Sequence, residues 1–237
     1  MTRRGKSWRM RARRLALSGA LALATGPLAA ADTPPIQWSA LVDATAQTFD
    51  DPYRALAPPQ LNSLATVARL RDRLTAPNIP PEARARISDR LTASEADLAA
   101  QGLDVDWILD QRWVVAERRA AAASAANPAL DGQEVAITGF LIPAPRAADG
   151  TYEAYLVPET GMCAHIPPPP PNQLLRLRFT APPEITGLFA PVRVRGTLRQ
   201  TETRREMMVV DGMVQMWSVW TLEAQSLTAA DPAPLPQ

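Results

Sequence analysis

Asn127-Pro128-Ala129-Leu130-Asp131-Gly132-Gln133-Glu134-Val135-Ala136-Ile137-Thr138-Gly139-Phe140-Leu141 is the stretch on which the fold turns. Upstream of it, apolar residues recur at helical spacing; from Leu130-Asp131-Gly132 onward they recur at every second position. Val135, Ile137, Gly139 and Leu141 alternate with Ala136, Thr138 and Phe140, the pattern of a strand with one face on a core. Asn-Pro and Asp-Gly are turn formers, so the change of period falls at a chain boundary.

Working downstream, residues 152–157 form a second strand. Leu175, Leu177 and Phe179 alternate with Arg176 and Arg178 in a third. Val192, Val194, Gly196 and Leu198 alternate with Arg193, Arg195 and Arg199 in a fourth, and residues 214–222 form a fifth. A short helical turn is expected at 185–189. Glycines inside the first and fourth strands suit the sharp bends of a small closed sheet. The fold class is therefore α+β, with a five-stranded OB-like β-barrel over residues 127–227 preceded by a helical segment. A small β-sandwich is the alternative. Arg176, Arg178, Arg193 and Arg195, on the outer sides of strands three and four, read as a solvated face paired with nearby acids; an anion site is the alternative.

Working upstream, residues 60–126 are helical in pattern. Leu61, Leu64, Val67, Ala68 and Leu74 lie at helical spacing and stop before Pro77. Pro80-Pro81-Glu82 opens a second helix, with Ile87, Leu91 and Leu98 on one face. Gly102 closes it, and Asp104 caps a third bearing Val105, Ile108, Leu109, Trp113 and Ala116. This hairpin or three-helix segment is expected to pack on itself or on the sheet; a partner is the other use of such stripes. Residues 32–59 form an extended lead-in, interrupted by Pro52, Pro58 and Pro59, that docks Trp38 on the core.

The ends read differently. Seven basic residues among the first fourteen, an apolar run at 15–23 and Ala29-Ala30-Ala31 resemble a cleavable export signal over residues 1–31. That places the protein in the periplasm and gives it membrane contact only through the signal; an uncleaved anchor is the alternative. Arg13-Arg14 does not decide between the general and the twin-arginine export routes. Residues 228–237, with Pro232, Pro234 and Pro236, read as a disordered tail.

Charge excludes some functions. The 237 residues carry 25 Lys and Arg against 24 Asp and Glu. Without the signal the balance is net −6, which argues against a nucleic-acid partner. Lys6 is the only lysine, so Schiff-base and P-loop chemistry have no residue to use once the signal is removed.

The chemistry-bearing string is Gly161-Met162-Cys163-Ala164-His165-Ile166, followed by Pro167, Pro168, Pro169, Pro170 and Pro171 and then Asn172-Gln173. It holds the only cysteine and the only histidine. One cysteine in an exported chain forms no internal disulfide. In an extended segment, residues two apart point the same way, so Cys163 and His165 can face one ion. A thiolate and an imidazole suit zinc or copper(I), with Met162, Met213 and Met216 available as further soft ligands. The competing reading is an inert buried thiol beside a hydrogen-bonded imidazole, with the methionines as core filling. The string lacks the second base, the glycine loop and the other motifs of a hydrolase, so the protein reads as non-enzymatic. The prolines form a stiff rod that either braces this site or docks, with Asn172 and Gln173, on a partner.

This string resembles the signature of a bacterial family designated domain of unknown function 3299. Leu130-Asp131-Gly132-Gln133-Glu134-Val135, Gly139-Phe140-Leu141-Ile142-Pro143 and Leu156-Val157-Pro158 are similar to its preceding strands, and Ile36-Gln37-Trp38 with Leu41 resembles its lead-in. The resemblance covers residues 130–225. The helices at 60–126 have no counterpart in it and read as an elaboration, and Met162 and Ala164 depart from the expected neighbours of Cys163 and His165. The resemblance implies an exported envelope protein. It also brings in a context of metal-responsive operons and envelope ABC-transporter components, one of which is a candidate partner alongside self-association.

Overall fold

The computed structural model describes residues 1–2, 34–163, 166, 168–210 and 212–231. The expected export signal, apart from its first two residues, and residues 232–237 of the expected tail lie outside the described residues. The chain divides into two units, Met1–Asp32 and Thr33–Gln237, and the second holds the elements that follow.

Five strands, β1 (Glu134–Pro143), β2 (Tyr152–Val157), β3 (Leu175–Phe179), β4 (Ala190–Val209) and β5 (Gly212–Ala229), form one sheet that closes in a ring. The order is β1-β2-β3-β5-β4, with β4 returning to β1. Neighbours are antiparallel except β3 and β5, which run parallel. The period-two residues found in the sequence line its interior: Val135, Ile137, Leu141, Leu156, Leu175, Leu177, Val192, Val194, Leu198, Trp220 and Leu222 are buried there. Closing so small a ring brings backbones close. A Cβ on Gly196 would strike the Glu223 carbonyl, and one on Gly139 would lie 2.6 Å from the Val157 carbonyl oxygen. Gly196 sits where the β4–β5 register shifts, and that irregularity turns the strand.

Strands four and five are much longer than the apolar alternation foretold. Beyond Gln200 and Trp220, residues 203–209 and 212–218 pair only with each other and form a two-stranded arm. The arm folds over the outer face of β1 and β2. Met207, Val209, Val214 and Met216 pack there against Phe140, Ile142, Tyr155 and Val157. The sequence hides the arm because Arg204, Arg205 and Glu206 interrupt the apolar pattern on its solvent-facing and marginal positions. The tail is also shorter than expected, since Thr228 belongs to β5 and pairs with Arg193. The expected helical turn at 185–189 is absent. Pro182 and Pro183 precede an irregular run that ends when the Phe189 N–H bonds to the Leu141 carbonyl at 2.7 Å.

The described helical segment has four helices: α1 (Pro58–Thr75), α2 (Pro81–Ala100), α3 (Val105–Asp110) and α4 (Arg112–Ser124). Proline opens α2 as expected, and the Asp104 carboxylate caps α3 by accepting from the Trp107 N–H at 3.0 Å. The single third helix read from the sequence is instead broken at Gln111, because its halves serve different partners. Val105 and Ile108 join Leu64, Val67 and Leu98 in a helical core, whereas the buried face of α4 lies outside that core. Trp113, placed on the apolar stripe by its spacing, is 71% exposed. The lead-in docks as its sequence suggests: Trp38 packs against the ring interior and its Nε1 donates to the Thr138 carbonyl at 2.8 Å. Asp51 then joins the lead-in to α4, accepting from Arg119 Nε at 2.8 Å.

Candidate functional site

Backbone hydrogen bonds tie Gly161, Cys163 and Ile166 together. The Cys163 N–H donates to the Ile166 carbonyl at 2.9 Å, and the Ile166 N–H to the Gly161 carbonyl at 3.1 Å. Gly161 has φ +84 and Cys163 φ +65. The left-handed region costs a side-chain-bearing residue about 1 kcal/mol or more. The extended geometry that was expected to aim Cys163 and His165 together therefore does not exist at Cys163. His165, Ala164 and Pro167 lie outside the described residues.

The loop turns the thiol inward. Cys163 is 2% exposed and joins the core beneath the arm, with Ile142, Tyr155, Val157, Leu174, Met207 and Met216. Burial pushes the thiol up to about 11, so at neutral pH it is fully protonated. Met162 is half-buried on the margin of this core. The methionines separate by strand alternation. Met207 and Met216 face the sheet; Met208 and Met213 pair on the opposite face and are 67% and 59% exposed. Of the three methionines named as further ligands, Met162 and Met216 share the cysteine's cluster and Met213 faces solvent. Met207 joins them, and strand register, invisible in a run of four methionines, is what selects it.

The proline string is used within the chain. Pro168 and Pro170 are exposed, Pro169 and Pro171 are buried, and Pro171–Gln173 form a single 3-10 turn. Asn172 was expected at a partner surface. It is buried instead, and its amide donates to the carbonyls of Ala122 and Ala125 at the end of α4, both at 2.9 Å. The Gln173 amide donates to the Trp38 carbonyl at 2.9 Å. Together they fasten the helical segment and the lead-in to the sheet, because amide side chains satisfy carbonyls that a helix end leaves unpaired.

The arginine face behaves as its spacing suggested. Arg178 pairs with Asp149 and Glu223, Arg195 with Glu134, and Arg176 with Glu153. Glu153 stands apart from the other acids, because its side chain is 1% exposed and its second oxygen is held by Arg205 of the arm. Among the described residues no group of three or more His, Cys, Asp or Glu side chains is placed to hold a metal ion. The soft donors in the cluster of Cys163 are the sulfur atoms of Met207 and Met216, with Met162 at its margin.

The family model described as "Protein of unknown function (DUF3299)" matches residues 57–227. Its span includes all four helices, so the helical segment belongs to the family pattern and is no elaboration, while the lead-in at 36–41 precedes the match. A DUF3299 family protein from Pseudomonas aeruginosa PAO1, known from its crystal structure, is similar at 19% identity, covering 85% of this chain and 99% of its own, with a TM-score of 0.40. A small single-stranded DNA-binding protein from Streptomyces coelicolor is similar at 10% identity, covering 42% of this chain and 94% of its own, with a TM-score of 0.22. No curated protein matches the chain.

Proposed function

The chain belongs to the DUF3299 family of proteins of unknown function, and from that premise we propose an exported, non-enzymatic envelope protein that holds a soft metal ion through Cys163 and His165. We read its closed sheet as an OB-like barrel. The strand order and the parallel β3–β5 pair support this, although an irregular segment stands where the sequence suggested a helical turn.

One observation carries the metal reading: the unique thiol is packed in one cluster with Met207 and Met216 and bordered by Met162. Thiolate and thioether donors select copper(I), whereas zinc favours four-coordinate sites of thiolate, imidazole and carboxylate. Copper(I) is therefore the preferred ion and zinc the lesser one. A thiol held near 11 binds only an ion that displaces its proton, as a soft cation at a thiolate does. The basic and apolar residues before Ala29-Ala30-Ala31 support export to the periplasm. The test is copper content after anaerobic loading of the full chain and of Cys163→Ala, His165→Ala and Met216→Leu. Wild type should retain copper stoichiometrically, Cys163→Ala should lose it, and the other two should bind more weakly. Equal, near-zero copper in all four overturns the reading.

A second reading, an accessory module of an envelope transport complex, is favoured by exposed Trp107 and Trp113 on α3 and α4. Large aromatics left in solvent are common anchors of partner surfaces. On this reading a Trp107→Ala/Trp113→Ala chain should fold normally yet lose a transporter component that wild type retains. Equal recovery by both counts against it.

A further inference from the structure

A cavity of about 500 Å³ opens at the margin of the arm, lined by Glu153, Tyr155, Arg176, Thr203 and Arg205 among others. Its walls come from the β1–β2 connection, β2, β3 and β4, at the place where the β4–β5 ladder becomes irregular between Gln200 and Thr203. Such irregularities re-aim side chains.

Two features of this cavity are unmatched. The first is charge. Arg176 and Arg205 share the single buried carboxylate of Glu153, one on each oxygen. Arg204, also on the wall, is balanced separately by Glu202 at 2.9 Å and stacks on Trp217 at 4.0 Å. Two guanidinium groups thus share one carboxylate, and the next acid, Asp149, pairs with Arg178 and acts on Arg176 only through space, so Arg176 keeps an edge that no carboxylate bonds. The second is hydrogen bonding. Tyr155 is completely buried, and its Oη has no partner among the described residues; Thr203 Oγ1 is buried and equally without one. A buried hydroxyl left unpaired costs about 1–3 kcal/mol, and these two residues line one cavity.

We propose that this cavity binds a small oxyanion, the carboxylate or phosphate group of a ligand, on Tyr155, Thr203 and the outer edges of Arg176 and Arg205. Each element of the site answers one requirement of such a ligand. The hydroxyls donate to its oxygens, and the guanidinium pair supplies planar donors and the compensating charge. A cation is repelled. A volume of about 500 Å³ falls within the range of roughly 300–1,000 Å³ usual for small-molecule sites. Glu153 keeps the arginines in place when the cavity is empty, so the site is preorganised and loses little entropy on binding. The proposal requires no metal at Cys163.

The test titrates the full chain with sodium acetate and with sodium phosphate at fixed ionic strength, with chloride as control, followed by amide chemical shifts and thermal unfolding. Removing Arg176 or Arg205 would strand a buried carboxylate and confuse folding with binding. The informative variants are Tyr155→Phe and Thr203→Val, which delete one hydroxyl each and keep the shape. Saturable shifts confined to β2, β3 and the arm are expected with one oxyanion or both. Acetate alone identifies a carboxylate ligand, and phosphate alone a phosphate. Tyr155→Phe should unfold at the same temperature as wild type or higher, yet bind about ten- to a hundredfold more weakly, as loss of a hydrogen bond to an ion implies. No saturable binding of either anion, or equal binding by wild type and both variants, overturns the proposal.

Discussion

Leu141 and Ile142 are neighbours on β1, yet they enter different cores. Leu141 points into the closed ring, among aliphatic side chains, Phe179 and Trp220. Ile142 points outward beneath the arm, among Cys163, Tyr155, Met207 and Met216, with Glu153 and two arginines at the border. Closing the ring demands dense apolar packing on its inner side and nothing chemical. The outer face of such a sheet is normally left to solvent. Here the arm covers it and creates a second interior that closure does not require, and the titratable and soft side chains are gathered there. The contrast places the packing that closes the fold on one face and the groups of both proposed binding sites on the other.

The sharpest way to break that assignment is to damage the inner core. Trp220 is fully buried at the centre of the ring, and its Nε1 donates to the Leu41 carbonyl at 3.2 Å. Trp220→Ala should cost about 3–5 kcal/mol, from lost burial and the cavity left behind. Denaturant unfolding followed by circular dichroism measures it. A loss no greater than that of Met216→Leu, for which about 1.5 kcal/mol is the upper bound, would mean the two cores carry equal weight.

Asn172 tests whether the helices depend on the sheet. Asn172→Ala removes two buried hydrogen bonds, although the Ala122 carbonyl keeps the Gln47 amide at 2.8 Å and the Ala125 carbonyl keeps the Asp43 N–H at 3.2 Å, and should cost about 1–3 kcal/mol. Proteolysis between α4 and β1 should rise in the same variant, since the 3-10 turn at Pro171–Gln173 packs against α4. Unchanged stability and unchanged cleavage would show that the helical segment holds its place without this clasp.

How much of this was legible in the sequence follows from which forces leave a period. Val135, Ile137 and Leu141 alternate because one face of β1 is buried in the ring, so the strand and its interior were readable residue by residue. Trp38 and the Asp104 cap were readable for similar local reasons. The arm was not. Its burial is one-sided and shallow, and Arg204, Arg205 and Glu206 look like a loop until the pairing of Arg205 with Met216 is known. Cys163 stood out because it is the only thiol, but its burial depends on a left-handed turn and an overlying arm that local sequence does not announce. Glu153 gave no signal, because a carboxylate on a strand reads as a solvent-facing residue until its two arginines, from β3 and β4, are brought to it. Asn172 was visible as part of the motif but misassigned, since a buried amide and an exposed one look alike in sequence.

The smallest effect on stability belongs to the thiol itself, and it discriminates best between the two faces. Beneath the arm, burial holds Cys163 near 11, against about 8.5 for a free thiol. In the metal-free native protein a thiol reagent should therefore react at neutral pH far more slowly than with an unfolded chain. Reaction should accelerate toward pH 11, as the thiolate fraction grows. Stability moves with the sign set by linkage. The folded value is raised, so this contribution is fully present below the unfolded value and is lost as pH rises through the folded one, between about 8.5 and 11. Cys163→Ala lacks the titrating group, so the stability difference between it and wild type should change within that window and stay flat below it. Labelling at neutral pH as fast as that of an unfolded chain, with the Trp220 environment still native, would show that the arm does not seal its core, and the division between a folding face and a binding face would fail at its most specific point.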